Sequence, residues 1–335
     1  MKPVDPKSFE RNRADAGTAL GADKAPMIRT QMNGRDWLIL LALAFIWGGS
    51  FFFIGVAVRE VQPLTFVWTR VTVAAAALWF YLWASGQSPR VPRAAIAPFA
   101  LLSVLNNIVP FALYAWAQQT IPSGLASILN ATTPIWGVLV AHMLTRDEPL
   151  TGRKLSGVIL GFAGVAVMIG PAFLHKLDGA GLAMLGCLVA TLCYAFAGVW
   201  ARRFRAMGVT PTQVATGQLT MSAIVMLPVA LVVEHPWAAA TPSLGAVGAI
   251  LAIALLSTAI GYILYFRLID TAGATNALLV TLLVPPMAIV LGAAFLSEVL
   301  APRDFAGMAL IALGLAAIDG RLLRLLASRR PRPAA

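Results

Sequence analysis

Leu105-Asn106-Asn107-Ile108-Val109-Pro110 sets two adjacent carboxamides and a proline inside an otherwise apolar run, residues 97–117. That run is long enough to cross a bilayer as one helix. Bare amides in hydrocarbon are costly, so they must face protein, water or a ligand. The layout recurs about 150 residues later. Ser257-Thr258 stand where the two amides stand, and Gly261 stands in place of Pro110. Paired polar helices with a breaker, at matching places in two halves, point to a transporter's central site.

Composition agrees with a membrane environment. Of 335 residues, 59% are apolar and only 12% charged, and the mean hydropathy is +0.80. Soluble domains carry about 25% charged residues. The apolar runs predict ten spans, over 37–58, 64–84, 97–117, 123–144, 154–174, 180–200, 212–233, 245–266, 273–296 and 305–322. No alternating ten-residue pattern of a membrane β-barrel is present.

The net charge of +11 would suit nucleic acid, but its placement argues against that partner. With the amino terminus inside, 21 of the 25 basic residues fall in inner loops and tails. The outer segments hold only Arg59, Lys176 and Arg303, and Arg70 lies within a span. This bias predicts a multi-pass protein with both termini in the cytoplasm. Residues 1–36 read as a disordered cytoplasmic tail with no signal-peptide core, and 323–335 as a basic tail near anionic lipid. Cys187 and Cys193 lie six apart on one helix, off a shared face, and read as core residues rather than a disulfide.

Several intramembrane residues carry two readings. Trp47 follows Ile46 and precedes Gly48-Gly49-Ser50, which allow close helix packing; Trp47 itself either packs or lines the pathway. Arg70 is about six residues, roughly 9 Å, from the outer end of its span. It either snorkels to the outer interface or bonds to a carbonyl, or else it attracts an anionic substrate group such as a carboxylate. In the fourth span, Ser123 to Pro134, Pro134 should free a carbonyl near Asn130. Gly157, Gly161 and Gly164 form a packing stripe.

The halves align. Leu113-Tyr114 matches Leu264-Tyr265, and Pro134 matches Pro285. Glu148, Arg153, Gly157, Gly164 and Gly170 match Glu298, Arg303, Gly307, Gly314 and Gly320. More weakly, Pro63 lies over Pro211 and Arg70 over Gln218. Five spans is an odd number, so the second half should enter the membrane inverted. The expected fold is therefore all-α and integral to the membrane, with ten transmembrane helices in two inverted five-helix repeats, 37–174 and 175–322.

These residues together resemble the drug/metabolite transporter superfamily, in the branch with two EamA domains. The resemblance rests on Trp47-Gly48, Pro63 with Arg70, Leu113-Tyr114, Ser123 to Pro134, Glu148, Leu150 and Gly157. Tyr265, Pro285, Glu298 and Gly307 repeat it in the second half, and it covers about residues 37–320. It implies ten helices with cytoplasmic termini and export of small metabolites or drugs, amino acids and their relatives being common substrates. Gln218 departs from the pattern, leaving Arg70 without a charged copy.

The expected function is a secondary carrier of a small-molecule substrate across the inner, or plasma, membrane. Substrate-binding candidates are Trp47, Arg70, Asn106, Asn107, Tyr114, Asn130, Thr133, Ser257, Thr258, Tyr262 and Thr281. Amides and hydroxyls both donate and accept, so they can replace a substrate's water. Helix-break candidates are Pro110, Pro134, Gly261 and Pro285. The plainer reading is that the polar residues only join helices, at about 0.6 kcal/mol each. No carboxylate stands at mid-span, which favours exchange or facilitated diffusion over tight proton coupling. A channel is the rival transport reading. An enzyme would need a converging set of groups, yet His142, His175 and His235 are scattered and no metal-binding motif or cofactor signature is present.

Overall fold

The computed structural model describes residues 33–145, 150–169, 179–272, 277 and 280–319. Glu148, Gly170, His175, Lys176, Gly320 and nearly all of both tails lie outside the described residues. Among those described there is no β-strand.

The chain opens with α1, Gly34–Ala57. Asn33 and Asp36 satisfy one another's backbone N–H groups in a capping box. Helix α2, Pro63–Ala84, begins on proline, whose missing N–H costs nothing at a helix start. The third passage is α3, Ile96–Ser103, a π-helical stretch Val104–Ile108, then α4, Val109–Ala117. The fourth is α5, Ser123–Asn130, and α6, Thr133–Leu144. Helix α7 is Gly152–Ile169.

The later part begins with α8, Gly179–Ala206, and α9, Pro211–Glu234, capped by Thr210 and Gln213. Then come α10, Leu244–Ala252, a second π-helical stretch Ile253–Ile260, and α11, Gly261–Ala272. Helices α12, Val280–Leu296, and α13, Pro302–Asp319, complete it.

Seven of these passages are long and apolar enough to cross a membrane, and 283–296 is a shorter apolar helix. Leu38, Phe80, Trp83, Ile159, Val232 and Val290 are all 60% or more exposed. A soluble protein does not present so much large apolar surface, so these side chains face lipid.

Most boundaries fall near those expected. Helix α8 runs six residues past the expected 200, carrying Arg202, Arg203 and Arg205 beyond the apolar run. The Arg203 guanidinium lies 2.9 Å above the Trp200 ring, and Gly208, at φ +70°, takes the left-handed turn that follows.

Helices α7 and α13 meet backbone to backbone. A Cβ on Gly157 would stand 2.5 Å from the Gly314 carbonyl, and one on Gly164 would stand 2.6 Å from that of Gly307. The sequence pairs Gly157 with Gly307 and Gly164 with Gly314, so each glycine meets the counterpart of the other. That exchange makes the helices antiparallel. The glycine stripe is therefore a packing feature.

Candidate functional site

Both π-helical stretches carry the polar pairs. At the first, the Val109 N–H reaches back five residues to the Val104 carbonyl. Pro110 has no N–H and its ring crowds the carbonyl four residues before it, that of Asn106. A locally wider turn accommodates this. At the second, the Gly261 N–H bonds the carbonyl of Leu256, again five residues back, and the Thr258 hydroxyl bonds that of Ile253. Single π turns inside α-helices recur at functional sites.

Each wide turn is tied to the second helix of the other half. Asn106 Nδ2 donates to Gln218 Oε1 at 2.9 Å and to the Tyr262 hydroxyl at 3.2 Å. Asn107 is fully buried; its Nδ2 donates to Ser222 Oγ at 3.0 Å, and its Oδ1 accepts from Tyr262 at 3.3 Å. In the opposite sense, Arg70 Nε donates to Thr258 Oγ1 at 3.1 Å. Arg70 and Gln218, matched in the sequence, thus each reach the wide turn of the opposite half. Asn107 spends its polar atoms joining helices, whereas Asn106 is only half-buried.

Arg70 does not snorkel. It is 7% exposed, and its guanidinium lies 3.6 Å from the centre of the Phe111 ring. Tyr194 and Tyr262 lie near it. Tyr194 stacks on Tyr114 with centroids 6.4 Å apart, and Phe51 meets Tyr114 edge-on at 5.5 Å. Trp47 packs on Tyr265 at 5.2 Å. Four of the chain's five tyrosines therefore lie around this centre.

Trp47 and Ser257 form a reciprocal pair. The indole Nε1 donates to the Ser257 carbonyl at 3.0 Å, and the Ser257 hydroxyl donates to the carbonyl of Ile46 at 2.9 Å. Gly261 permits this approach, because a Cβ there would lie 2.6 Å from Trp47 Nε1.

Tyr114 donates to Asn130 Oδ1 at 3.0 Å, which brings the break between α5 and α6 to the same cluster. Pro134 sits just after that break. The Asn130 carbonyl, which an N–H at position 134 would have bonded, accepts the Thr133 hydroxyl at 2.7 Å. Pro285 differs from its counterpart, because α12 runs through it without a break. Thr281 is half-buried in the first turn of α12.

Three glutamates tie helices together at one end of the bundle. Glu298 accepts from the Ser123 N–H at 2.8 Å, the Ser123 hydroxyl at 2.8 Å and the Gly124 N–H at 3.2 Å. Glu234 accepts from the N–H groups of Leu64 at 2.8 Å and Thr65 at 2.7 Å. Glu60 accepts from the Ser243 N–H at 2.6 Å and hydroxyl at 2.8 Å. Each carboxylate thus caps a helix of the other half, where the helix dipole favours negative charge. The Ser243 bonds hold the exposed Glu60 carboxyl below its usual value. At the same end the Gln118 carboxamide is sealed from solvent with neither its Nε2 nor its Oε1 partnered. A half-open recess of about 250 Å³ beside Glu298 is otherwise apolar, and is not at the Arg70 cluster.

Sequence reasoning missed Phe111, Tyr194 and Ser222 as neighbours of the site and gave Glu60, Glu234 and Glu298 no capping role. The recurrence of acidic residues beside helix starts, Glu60 before Pro63 and Glu298 before Pro302, was the available signal for the glutamates. Tyr194 gave none.

Fold and site together define a helical membrane protein with a polar, aromatic-walled centre at bilayer depth. The chain belongs to the EamA-like transporter family, whose sequence profile matches residues 36–170 and again 181–318. It is a multi-pass membrane transporter. It is 24% identical over 281 residues to the Bacillus subtilis protein named uncharacterized transporter YoaV, covering 82% of this chain and 94% of that one. It is 26% identical to a probable terminal-alkyne amino-acid exporter of Streptantibioticus cattleyicolor, over 88% of this chain and 96% of the relative. It is 25% identical to a probable amino-acid metabolite efflux pump of Escherichia coli, over 85% and 94%. A crystal structure of a protein with 18% identity superposes with a TM-score of 0.63, over 88% of this chain and 99% of that one, and shares the fold.

Proposed function

We propose that this protein is a secondary carrier that exports small metabolites, amino acids or related compounds or drugs, across the inner membrane by alternating access. Its ten helices form two inverted five-helix repeats with both termini in the cytoplasm. One observation carries the reading: each π-widened polar turn bonds to the second helix of the other half. Asn106 pairs with Gln218, and Thr258 pairs with Arg70. A centre shared in this way can be offered to either side as the halves exchange conformations. The antiparallel contact of α7 with α13 supports the inversion, and the names of the relatives support the substrate range and export.

The pathway is lined by Trp47, Arg70, Asn106, Tyr262, Ser257 and Thr258. Asn107, Tyr114, Asn130 and Thr133 hold the helices that present them. Thr281 remains a pathway candidate on α12. Opening of the glutamate-capped end would part Glu298 from Ser123 and Glu234 from α2.

Counterflow into proteoliposomes tests the reading. A carrier accumulates tracer against preloaded substrate, with saturation, and Asn106→Ala weakens it. Flux without saturation or counterflow would instead make the protein a channel.

A further inference from the structure

We propose that the outer edge of the Arg70 guanidinium is the seat of the substrate's carboxylate. The carrier then selects acids with an apolar or aromatic body over amides and cations. This rests on the carrier reading above and deepens it.

The guanidinium has three places to bond, and the protein uses two. Nε donates to Thr258, and one face lies on Phe111. Neither Nη atom has a hydrogen-bond partner among the described residues, and Arg70 makes no ion pair there. The sealed, unpartnered side-chain atoms are those of Thr65, Gln118 and Trp136. The Nη atoms are not among them, so they are not fully sealed although the residue is 93% buried. A buried cation without a counter-ion is costly. Here the two Nη groups are held in one orientation by the Thr258 bond and the Phe111 ring. Two parallel N–H groups in a fixed plane match a carboxylate's two oxygens. A substrate carboxylate would supply the charge that the protein omits.

The walls agree with an apolar body. Phe111 lies on the guanidinium, Tyr194 and Tyr262 are near it, Tyr114 stacks on Tyr194, and Trp47 packs on Tyr265. An ammonium-only compound would meet the same field as repulsion. Gln218 cannot take this role in the other half, because it is neutral and already accepts from Asn106.

The test uses the purified full chain in proteoliposomes, with matched acids and amides: 3-phenylpropionate with 3-phenylpropionamide, L-phenylalanine with L-phenylalaninamide, and L-leucine with L-leucinamide. Phenethylamine is the cation. Counterflow and the thermal shift of the detergent-solubilised protein are both read. At least one acid should be carried about ten- to hundredfold better than its amide, the range of a charge-assisted pair. Arg70→Gln should erase that ratio, whatever its effect on the absolute rates, and Arg70→Lys should restore it only in part. The acid-to-amide ratio of the unaltered protein tests the claim even if Arg70→Gln fails to fold. Amides or phenethylamine carried as well as the acids would overturn the carboxylate seat and leave the carrier standing. A thermal shift by the acids without any counterflow would keep the seat and overturn the carrier. Neither shift nor counterflow from any compound would overturn both.

Discussion

Glu298 reaches across 175 positions of sequence to accept both the backbone N–H and the hydroxyl of Ser123, each at 2.8 Å. It caps α5, a helix of the other half, so one carboxylate ties the two halves together at that end. In the proposed carrier, opening of that end would break these bonds. Glu298→Ala should cost about 1 kcal/mol, typical of a lost N-cap, seen as a lower melting temperature. The closure role has its own readout. In a background lacking Cys187 and Cys193, Gln118→Cys should react slowly with an impermeant thiol reagent. Adding Glu298→Gln should speed it severalfold. Equal rates would leave Glu298 as a cap only.

The α7–α13 contact leaves no room for a methyl group. Gly164→Ala would press a Cβ to 2.6 Å from the Gly307 carbonyl and should destabilise by about 1–3 kcal/mol. Gly137→Ala is the control. Nothing lies within 4 Å of its Cβ position, so helix propensity should make that change neutral or stabilising by up to about 1 kcal/mol. Thermal unfolding of the two variants compares them directly.

Trp47 and Gly261 should behave as a coupled pair. Gly261→Ala sets a Cβ against the indole nitrogen, and Trp47→Phe removes that nitrogen together with its bond to Ser257. The double variant should be less damaged than the sum of the single ones, by about 0.5–3 kcal/mol of coupling in a double-mutant cycle on stability. Additive effects would separate the two residues.

Acid should loosen the α10 cap at Glu60. The folded protein holds this carboxyl below its ordinary value of 4.5, chiefly through the Ser243 backbone bond. The folded state then binds its proton less readily than the unfolded chain. Its contribution to stability is present above pH 4.5 and is lost as pH falls through the lowered value. Glu60→Gln should flatten that part of the acid limb of a stability–pH curve.

Much of this arrangement was legible in the sequence because hydrophobic length and breakers are local signals. Asn106-Asn107 with Pro110, and Ser257-Thr258 with Gly261, marked both wide turns. Pro134 marked the freed Asn130 carbonyl. Partner choice across the bundle was not legible. Arg70 read first as a residue that snorkels or bonds a carbonyl, and only packing shows it turned onto Phe111 and Thr258. Asn107 and Asn106 are neighbours in sequence, yet the turn buries one and leaves the other half-open. Tyr194 has an unremarkable apolar context, so its place beside Arg70 depends wholly on how α8 packs on α4. The capping glutamates act between halves, across 169 or more residues, beyond any sequence window.

Accessibility of the centre from both sides tests alternating access most directly. The protein with Asn106→Cys, lacking Cys187 and Cys193, would be placed in oriented proteoliposomes. An impermeant thiol reagent would then be applied to one face at a time. Alternating access predicts modification from each face, slowed by a transported acid. Modification from one face only, whatever the substrate, would contradict it.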